Sequence, residues 1–328
     1  MRFIVQRFLF YLAAFWVAIT LNFAVPRLMP GDPATVLFAQ YQGRMRPDQL
    51  IAMKKAFGLT NGNIVQQYFT YLDNLAHGNL ALSFSHFPTP VSTVIMQDLP
   101  WTLLLVGFAV GISFVLGTTL GIVAAWRRGS WLDSVLPPLL LCAWSFPPFF
   151  LGLAAVYFLG LQLHLFPLSH SYDINHFSQV VITPGFLASV FYHSVLPASV
   201  LIVTTVGSWM LGMRNNMVAT LSEDYITMAE AKGLRPRRIM LMYAARNAIL
   251  PQITSFAIAL GFVVSGQVLI ELIFDYPGVG FDLVQAATSE DYPLLQGLLL
   301  FIVLAVLIAN FLVDILYSRL DPRVRQEA

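Results

Sequence analysis

The chain has 328 residues, of which 57% are hydrophobic and 11% charged. Soluble domains carry about 25% charged residues, so this composition excludes an ordinary soluble enzyme, a disordered chain and a nucleic-acid-binding domain. Eighteen Lys and Arg against seventeen Asp and Glu leave a net charge of +1 and no global field to steer an acidic partner. The single cysteine, Cys142, lies in an apolar run and allows neither a disulfide framework nor a Cys-based zinc site. With a mean hydropathy of +0.71, the sequence reads as an integral membrane protein.

A helix needs about 20 mainly apolar residues to cross the hydrocarbon core. Six windows qualify: Phe8–Leu28, Trp101–Trp126, Leu132–Leu161, His193–Met213, Leu250–Phe274 and Pro293–Tyr317. The first follows Arg2 and Arg7, as a signal peptide would. Its apolar run is too long for that, and Ala24-Val25-Pro26 is a poor cleavage site, so it is read as an uncleaved span. The third carries Pro137-Pro138 and Pro147-Pro148. Each proline removes a helix hydrogen bond, which predicts a kink or a re-entrant start. In the second span, Gly107-x-x-x-Gly111 and Gly117-x-x-x-Gly121 permit close helix contact.

Orientation follows from Lys and Arg in short loops. With the N-terminus cytoplasmic, the inner segments hold thirteen of the eighteen cations, from Arg2 and Arg7 through Arg127, Arg128, Arg214, Lys232, Arg235, Arg237, Arg238 and Arg246 to Arg319, Arg323 and Arg325. The outer loops near 162–192 and 275–292 hold none. Both termini are therefore expected inside.

Between the first two spans, Pro47 through Phe57 reads as a helix with Leu50, Met53 and Phe57 on one face and Gly58 as its stop. Ile64, Val65, Tyr68, Leu72 and Leu75 form a second apolar stripe ended by Gly78. The expected organisation is an N-terminal transmembrane helix (1–28), an external helical cap (29–100), a five-helix core (101–318) containing an inner loop (214–250), and a cytoplasmic tail (319–328).

The inner loop is the most informative. Ser222 is expected to cap a short helix whose first turn carries Glu223 and Asp224 at its positive end. Tyr225, Met228, Ala229 and Lys232 follow at helical spacing, and Gly233 is placed to stop the helix in a left-handed conformation. Pro236 suits the first turn of a second helix running towards Asn247 and Pro251. A helix this short needs something to pack against. It is either a docking element or a connector lying at the interface.

Recognisable catalytic motifs are absent. There is no Gly-Lys dipeptide, hence no Walker A loop for phosphates, no H-E-x-x-H and no G-x-S-x-G. His164, His170 and His176 fall in one outer loop without cysteine or well-spaced carboxylates, and read as solvated rather than metal-binding. Polar groups inside spans are candidates by default. Gln267 and Glu271 lie four apart in the fifth span, as do Asn310 and Asp314 in the sixth. Each pair forms either a polar path or gate, or an interhelical packing bond.

Five stretches together resemble the ABC importer permeases of the dipeptide/oligopeptide branch, on the first of their two permease subunits. They are Leu28-Met29-Pro30-Gly31-Asp32-Pro33; the EAA-loop-like run from Asp224 to Leu234 with Ala245 to Pro251; Phe274 to Gly280; Asp291-Tyr292-Pro293; and Asn310 to Tyr317 leading to Asp321-Pro322-Arg323. The glutamate that names the EAA motif is replaced by Thr227, and Phe166 to Asp173 is similar to branch members that import oligosaccharides.

The resemblance implies a type I ABC importer permease fold: all-α, six transmembrane helices, with a small external helical segment after the first. It implies a chain that is no enzyme and binds no cofactor, ATP and Mg being held by partner subunits. Those partners would be a second permease, two cytoplasmic ATPases and an external solute-binding protein, in a lipid membrane and without nucleic acid. It makes Asp224, Tyr225, Met228, Ala229, Ala231, Lys232, Gly233 and Leu234 an ATPase-coupling element, with small Ala229 and Ala231 allowing close approach and Gly233 setting the elbow. It leaves di- or oligopeptides as the cargo, with oligosaccharides in the same machine as the alternative and nickel or other small solutes behind them. A stand-alone secondary transporter would need midplane charges or inverted repeats that the sequence does not display.

Overall fold

A computed structural model describes the backbone over residues 2–28 and 63–320, with side chains over 5–24 and 63–315. The proposed helix at Pro47–Phe57 and the Leu28–Pro33 and Asp321–Arg323 motifs lie wholly or largely outside the described residues. Those residues are overwhelmingly helical, and their β pairing is one isolated bridge between Leu82 and Pro90. Four helices are long and apolar enough to span a membrane: Val5–Ala24, Val91–Trp126, Pro184–Leu221 and Tyr292–Ile315. Trp131–Ser145 and Pro148–Gln162 form a fifth span if taken together, bent by 90° at Phe146-Pro147. The proline-rich third window is thus broken, as its composition predicts.

The window at Leu250–Phe274 departs from expectation. It is not one helix: Leu250–Val263 ends, and a six-residue helix, Val268–Ile273, follows. The first piece is only about 21 Å long at 1.5 Å per residue, short of the roughly 30 Å hydrocarbon core. Ser265 and Gly266 cause the break. The Ser265 N–H and hydroxyl both turn back to the Phe262 carbonyl (3.1 and 2.6 Å), and Gly266 takes φ +72.

The chain forms two compact units. One comprises Met1–Trp101 and Pro277–Ala328. In it the N-terminal helix packs on the last helix. Asp314 accepts the Tyr11 hydroxyl at 2.8 Å and pairs with Arg7 at 3.2 Å, while Asn22 and Gln296 exchange side-chain-to-carbonyl bonds (2.8 and 3.1 Å). Asp314 therefore serves packing. The helix Ile64–Ala76 leans on the first helix through Tyr68 and Tyr71, whose rings meet Phe23, and ends with Gly78 at φ +70. Ile64 and Val65 remain exposed, so only the later part of the predicted stripe is used.

Asp291 organises this unit. Fully buried, it caps the last helix by accepting the Leu294 N–H at 3.1 Å through Oδ1. Its Oδ2 accepts the Ser83 and Ser85 hydroxyls, both at 2.6 Å, and the Ser85 N–H at 2.9 Å. Hydrogen bonds to a charged acceptor contribute about 1.5–3 kcal/mol each, and their orphaned donors cost more. Asp291→Ala is expected to lower the melting temperature of the purified protein in detergent by at least 5 °C. An unchanged melt would remove Asp291 from this role.

The second unit is Thr102–Tyr276. Its spine is the helix Pro184–Leu221, 38 residues long, against Phe108–Trp126. Gly117 and Gly121 bring the two backbones together: a Cβ at Gly121 would lie 2.5 Å from the Met210 carbonyl oxygen. Gly107 and Gly111 have no such approach, so only the second of the two small-residue motifs is a helix contact within the chain.

Candidate functional site: the elbow and the broken span

The loop over residues 214–250 folds as the elbow the sequence predicts, with one correction at its start. Ser222 does not cap the elbow helix. It closes the preceding one, its hydroxyl donating to the Ala219 carbonyl at 2.7 Å, and Glu223 in extended conformation is the N-cap residue. The elbow helix is Asp224–Ala231. Its end is a Schellman closure: Leu234 N–H reaches the Ala229 carbonyl (3.3 Å) and Gly233 N–H the Glu230 carbonyl (2.8 Å), with Gly233 at φ +70. A Cβ at Gly233 would meet nothing within 4 Å, so conformation rather than space requires glycine there.

The structure divides the residues expected to couple between two faces. Ile226 and Ala229 point inward, buried with Ala125, Met213, Met217, Ile239, Ala244, Ala245 and Ala248, and Leu234 packs against that cluster. Asp224, Tyr225, Met228, Ala231 and Lys232 lie on the exposed side, Met228 with 60% of its surface accessible. Ala229 is therefore small because its own chain closes over it. Ala231 is the small residue on the outward face.

The buried cluster ties the elbow to the adjoining ends of two spans, through Ala125 and through Met213 and Met217. A displaced elbow must displace them. Asn247, in the second elbow helix, donates to the Tyr225 hydroxyl at 3.0 Å and fixes that ring. The sequence placed Asn247 only by its motif, with no hint of that bond. Asp133, held by the Gly129 N–H at 2.9 Å, pairs with Arg214 of the long helix beside the same cluster. Sequence patterning offers no signal for that contact.

Gln267 and Glu271 do not share one helical face. Gln267 is the exposed residue that precedes the six-residue helix, with φ −114 and ψ 76. Glu271 is wholly buried. It accepts the Thr102 hydroxyl at 3.1 Å, and its Oε1 lies 3.4 Å from the Gln267 backbone nitrogen. Glu271 thus shapes the break, and Gln267 is the group it presents.

In the histidine-bearing loop after Gln162, His170 pairs with Asp275 (3.2 Å) and His176 with Asp173 (3.0 Å). The Asn175 N–H, then His176, hold the Asp173 carboxyl below its usual range. Among the described residues no three His, Cys, Asp or Glu side chains come together to hold a metal.

The long apolar helices make this a multi-pass helical membrane protein in form. The sequence comparisons make that specific. Residues 117–326 match the family of binding-protein-dependent transport system inner membrane components, and residues 1–112 match its N-terminal membrane-component family. The chain is 32% identical to the di/tripeptide transport system permease of Pseudomonas aeruginosa (strain UCBPP-PA14), over 100% of this chain and 99% of that one. It is 31% identical to the dipeptide transport system permease of Lactococcus lactis subsp. cremoris, with 99% of each covered, and 31% identical to the oligopeptide transport system permease of Bacillus subtilis, with 93% of each covered. The chain belongs to the binding-protein-dependent transport system inner membrane component family.

Proposed function

We propose that this chain is a permease subunit of an ATP-driven ABC importer and forms half of a translocation path for di- and oligopeptides. The observation that carries the coupling role is the two-faced elbow. Tyr225, Met228 and Ala231 are exposed on a helix whose opposite side, Ile226 and Ala229, is welded to two spans. A soluble partner gripping the outer face moves the membrane helices through the inner one.

In this reading that partner is one of two cytoplasmic ATPases, which hold the ATP and Mg. A second permease completes the path, and an external solute-binding protein delivers cargo. Six passes are counted, the two pieces Leu250–Val263 and Val268–Ile273 together serving as the fifth in order, with both termini cytoplasmic. Peptide cargo is supported by the full-length similarity to peptide permeases.

The test is reconstitution in vesicles. The chain with a second permease, the ATPases and a peptide-loaded binding protein should give ATP-dependent dipeptide uptake, and the chain alone should hydrolyse no ATP. ATPase activity that survives removal of partner subunits overturns the assignment; uptake of oligosaccharide instead of peptide moves the cargo and leaves the machine. Orientation has its own check. A cysteine at Arg237 should be labelled only from the cytoplasmic side, and labelling from outside sealed cells contradicts the arrangement.

A further inference from the structure

In the six-pass reading above, the fifth span carries a polar residue at a break in its helix. Its helix stops at Val263, Ser265 and Gly266 turn back on the preceding carbonyls, and the helix resumes at Val268. Gln267 stands in this gap, exposed, and Phe262 before it and Leu269 after it in the chain are each about half exposed. An amide facing hydrocarbon forfeits its hydrogen bonds with water, and irregular backbone at membrane depth is tolerated only where it is covered by protein or lines a polar cavity. Beneath it sits the fully buried Glu271, which draws the Gln267 backbone nitrogen to within 3.4 Å of its own carboxylate and is itself anchored by Thr102. The break is held in one shape rather than left loose: the Ser265 hydroxyl is spent on the Phe262 carbonyl, and the Gln267 side chain is left exposed.

We propose that Gln267 is a binding residue for the amide group of peptide cargo in transit. The inference rests on the peptide-permease reading above. A glutamine carboxamide has a donor and an acceptor in one plane; a trans peptide bond points its N–H and C=O to opposite sides, so the carboxamide meets one of them, or the N–H and carbonyl that a single extended residue presents on one side. Recognition of that group is independent of side chain, as a carrier of varied peptides requires, while the flanking Phe262 and Leu269 offer apolar surface to whatever side chains pass. Glu271 is a positioning residue: it sets the backbone from which the carboxamide projects.

The experiment uses the assembled transporter in vesicles with its binding protein. Three variants, Gln267→Leu, Gln267→Asn and Gln267→Cys, are normalised to the amount of assembled complex. Two cargoes are compared: a dipeptide and the same dipeptide methylated on its amide nitrogen. For each cargo the variant rate is divided by the wild-type rate, which cancels the binding protein's own preference. Losing one or two hydrogen bonds should slow Gln267→Leu roughly threefold to tenfold on the ordinary dipeptide, with a smaller loss on the methylated one, which keeps its carbonyl but has no N–H to offer, and partial recovery in Gln267→Asn. Gln267→Cys should react with a water-soluble maleimide and be protected by peptide turnover.

Labelling and protection with equal loss on both cargoes, or no loss on either, overturns amide recognition and leaves Gln267 in the path. No labelling at 267 overturns the inference and removes Gln267 from the path, while ATP-driven dipeptide uptake by the wild type keeps the permease assignment intact. Absence of dipeptide uptake by the wild type overturns the peptide reading and the inference with it.

Discussion

Met228→Asp is expected to leave the protein inserted in the membrane in normal amount, yet to reduce co-purification of the ATPase subunits and uptake by at least tenfold. Met228 is 60% exposed on the outward face of Asp224–Ala231, so the substitution disturbs no packing within the chain. Burying an unpaired carboxylate in a partner's groove costs several kcal/mol, and 1.4 kcal/mol already corresponds to a factor of ten. The contrast that isolates docking is Ala229→Trp. Ala229 is 3% exposed among Ala125, Met213 and Ala244. Bulk there should damage the chain itself, lowering insertion and thermal stability along with transport.

Gly233→Val falls between them. It meets no neighbour but forces a β-branched residue to φ +70, so the protein should insert while the elbow loses its turn and uptake fails. If Met228→Asp retains its ATPases, the outward face is not where they bind. Full uptake by Gly233→Val would sink the elbow as the coupling element.

The elbow was legible because its signals are local. An acidic first turn, a stop glycine and Pro236 act within a few residues, and each appears where the spacing placed it. What the sequence left hidden was the direction of each face. Ala229 and Ala231 are the same residue type two positions apart, yet one is buried and the other exposed. Only the position of Met213, Met217 and Ala125, distant in sequence, decides which.

The break in the Leu250–Phe274 window went unforeseen for a related reason. Hydropathy sums side chains over a window, and a single Ser265-Gly266 pair barely alters the sum while redirecting the backbone. The pairing of Gln267 with Glu271 was visible as an i, i+4 spacing. The spacing assumes a helix through both residues, and Gln267 lies just outside one. Asp291 was visible as part of a motif, but three of its four donors come from Ser83 and Ser85, some two hundred positions earlier.

Two methyl groups added to one helix should have opposite effects. At Gly121 a Cβ would sit 2.5 Å from the Met210 carbonyl oxygen, 2.8 Å from the Met213 Cβ and 3.0 Å from the Arg214 nitrogen. Two of those three are backbone atoms of the long helix, which cannot rotate away as a side-chain tip would. Gly121→Ala must push the two helices apart and is expected to destabilise the purified chain in detergent by about 1–3 kcal/mol or more. Gly111 lies on the same helix with nothing within 4 Å of its added Cβ. There, Gly111→Ala should stabilise by roughly 0.5–1 kcal/mol through the lower conformational freedom of alanine in the unfolded state. The measurement is thermal unfolding of the two variants side by side. Equal melting temperatures would mean that Gly117-x-x-x-Gly121 does not set the helix distance. The consequence reaches the elbow, because Met213 takes part in both contacts, facing Gly121 and lying in the cluster that holds Ile226 and Ala229. A helix pair forced apart at Gly121 should therefore also weaken the elbow's hold on the spans, and Gly121→Ala should lose uptake even at temperatures where it remains folded.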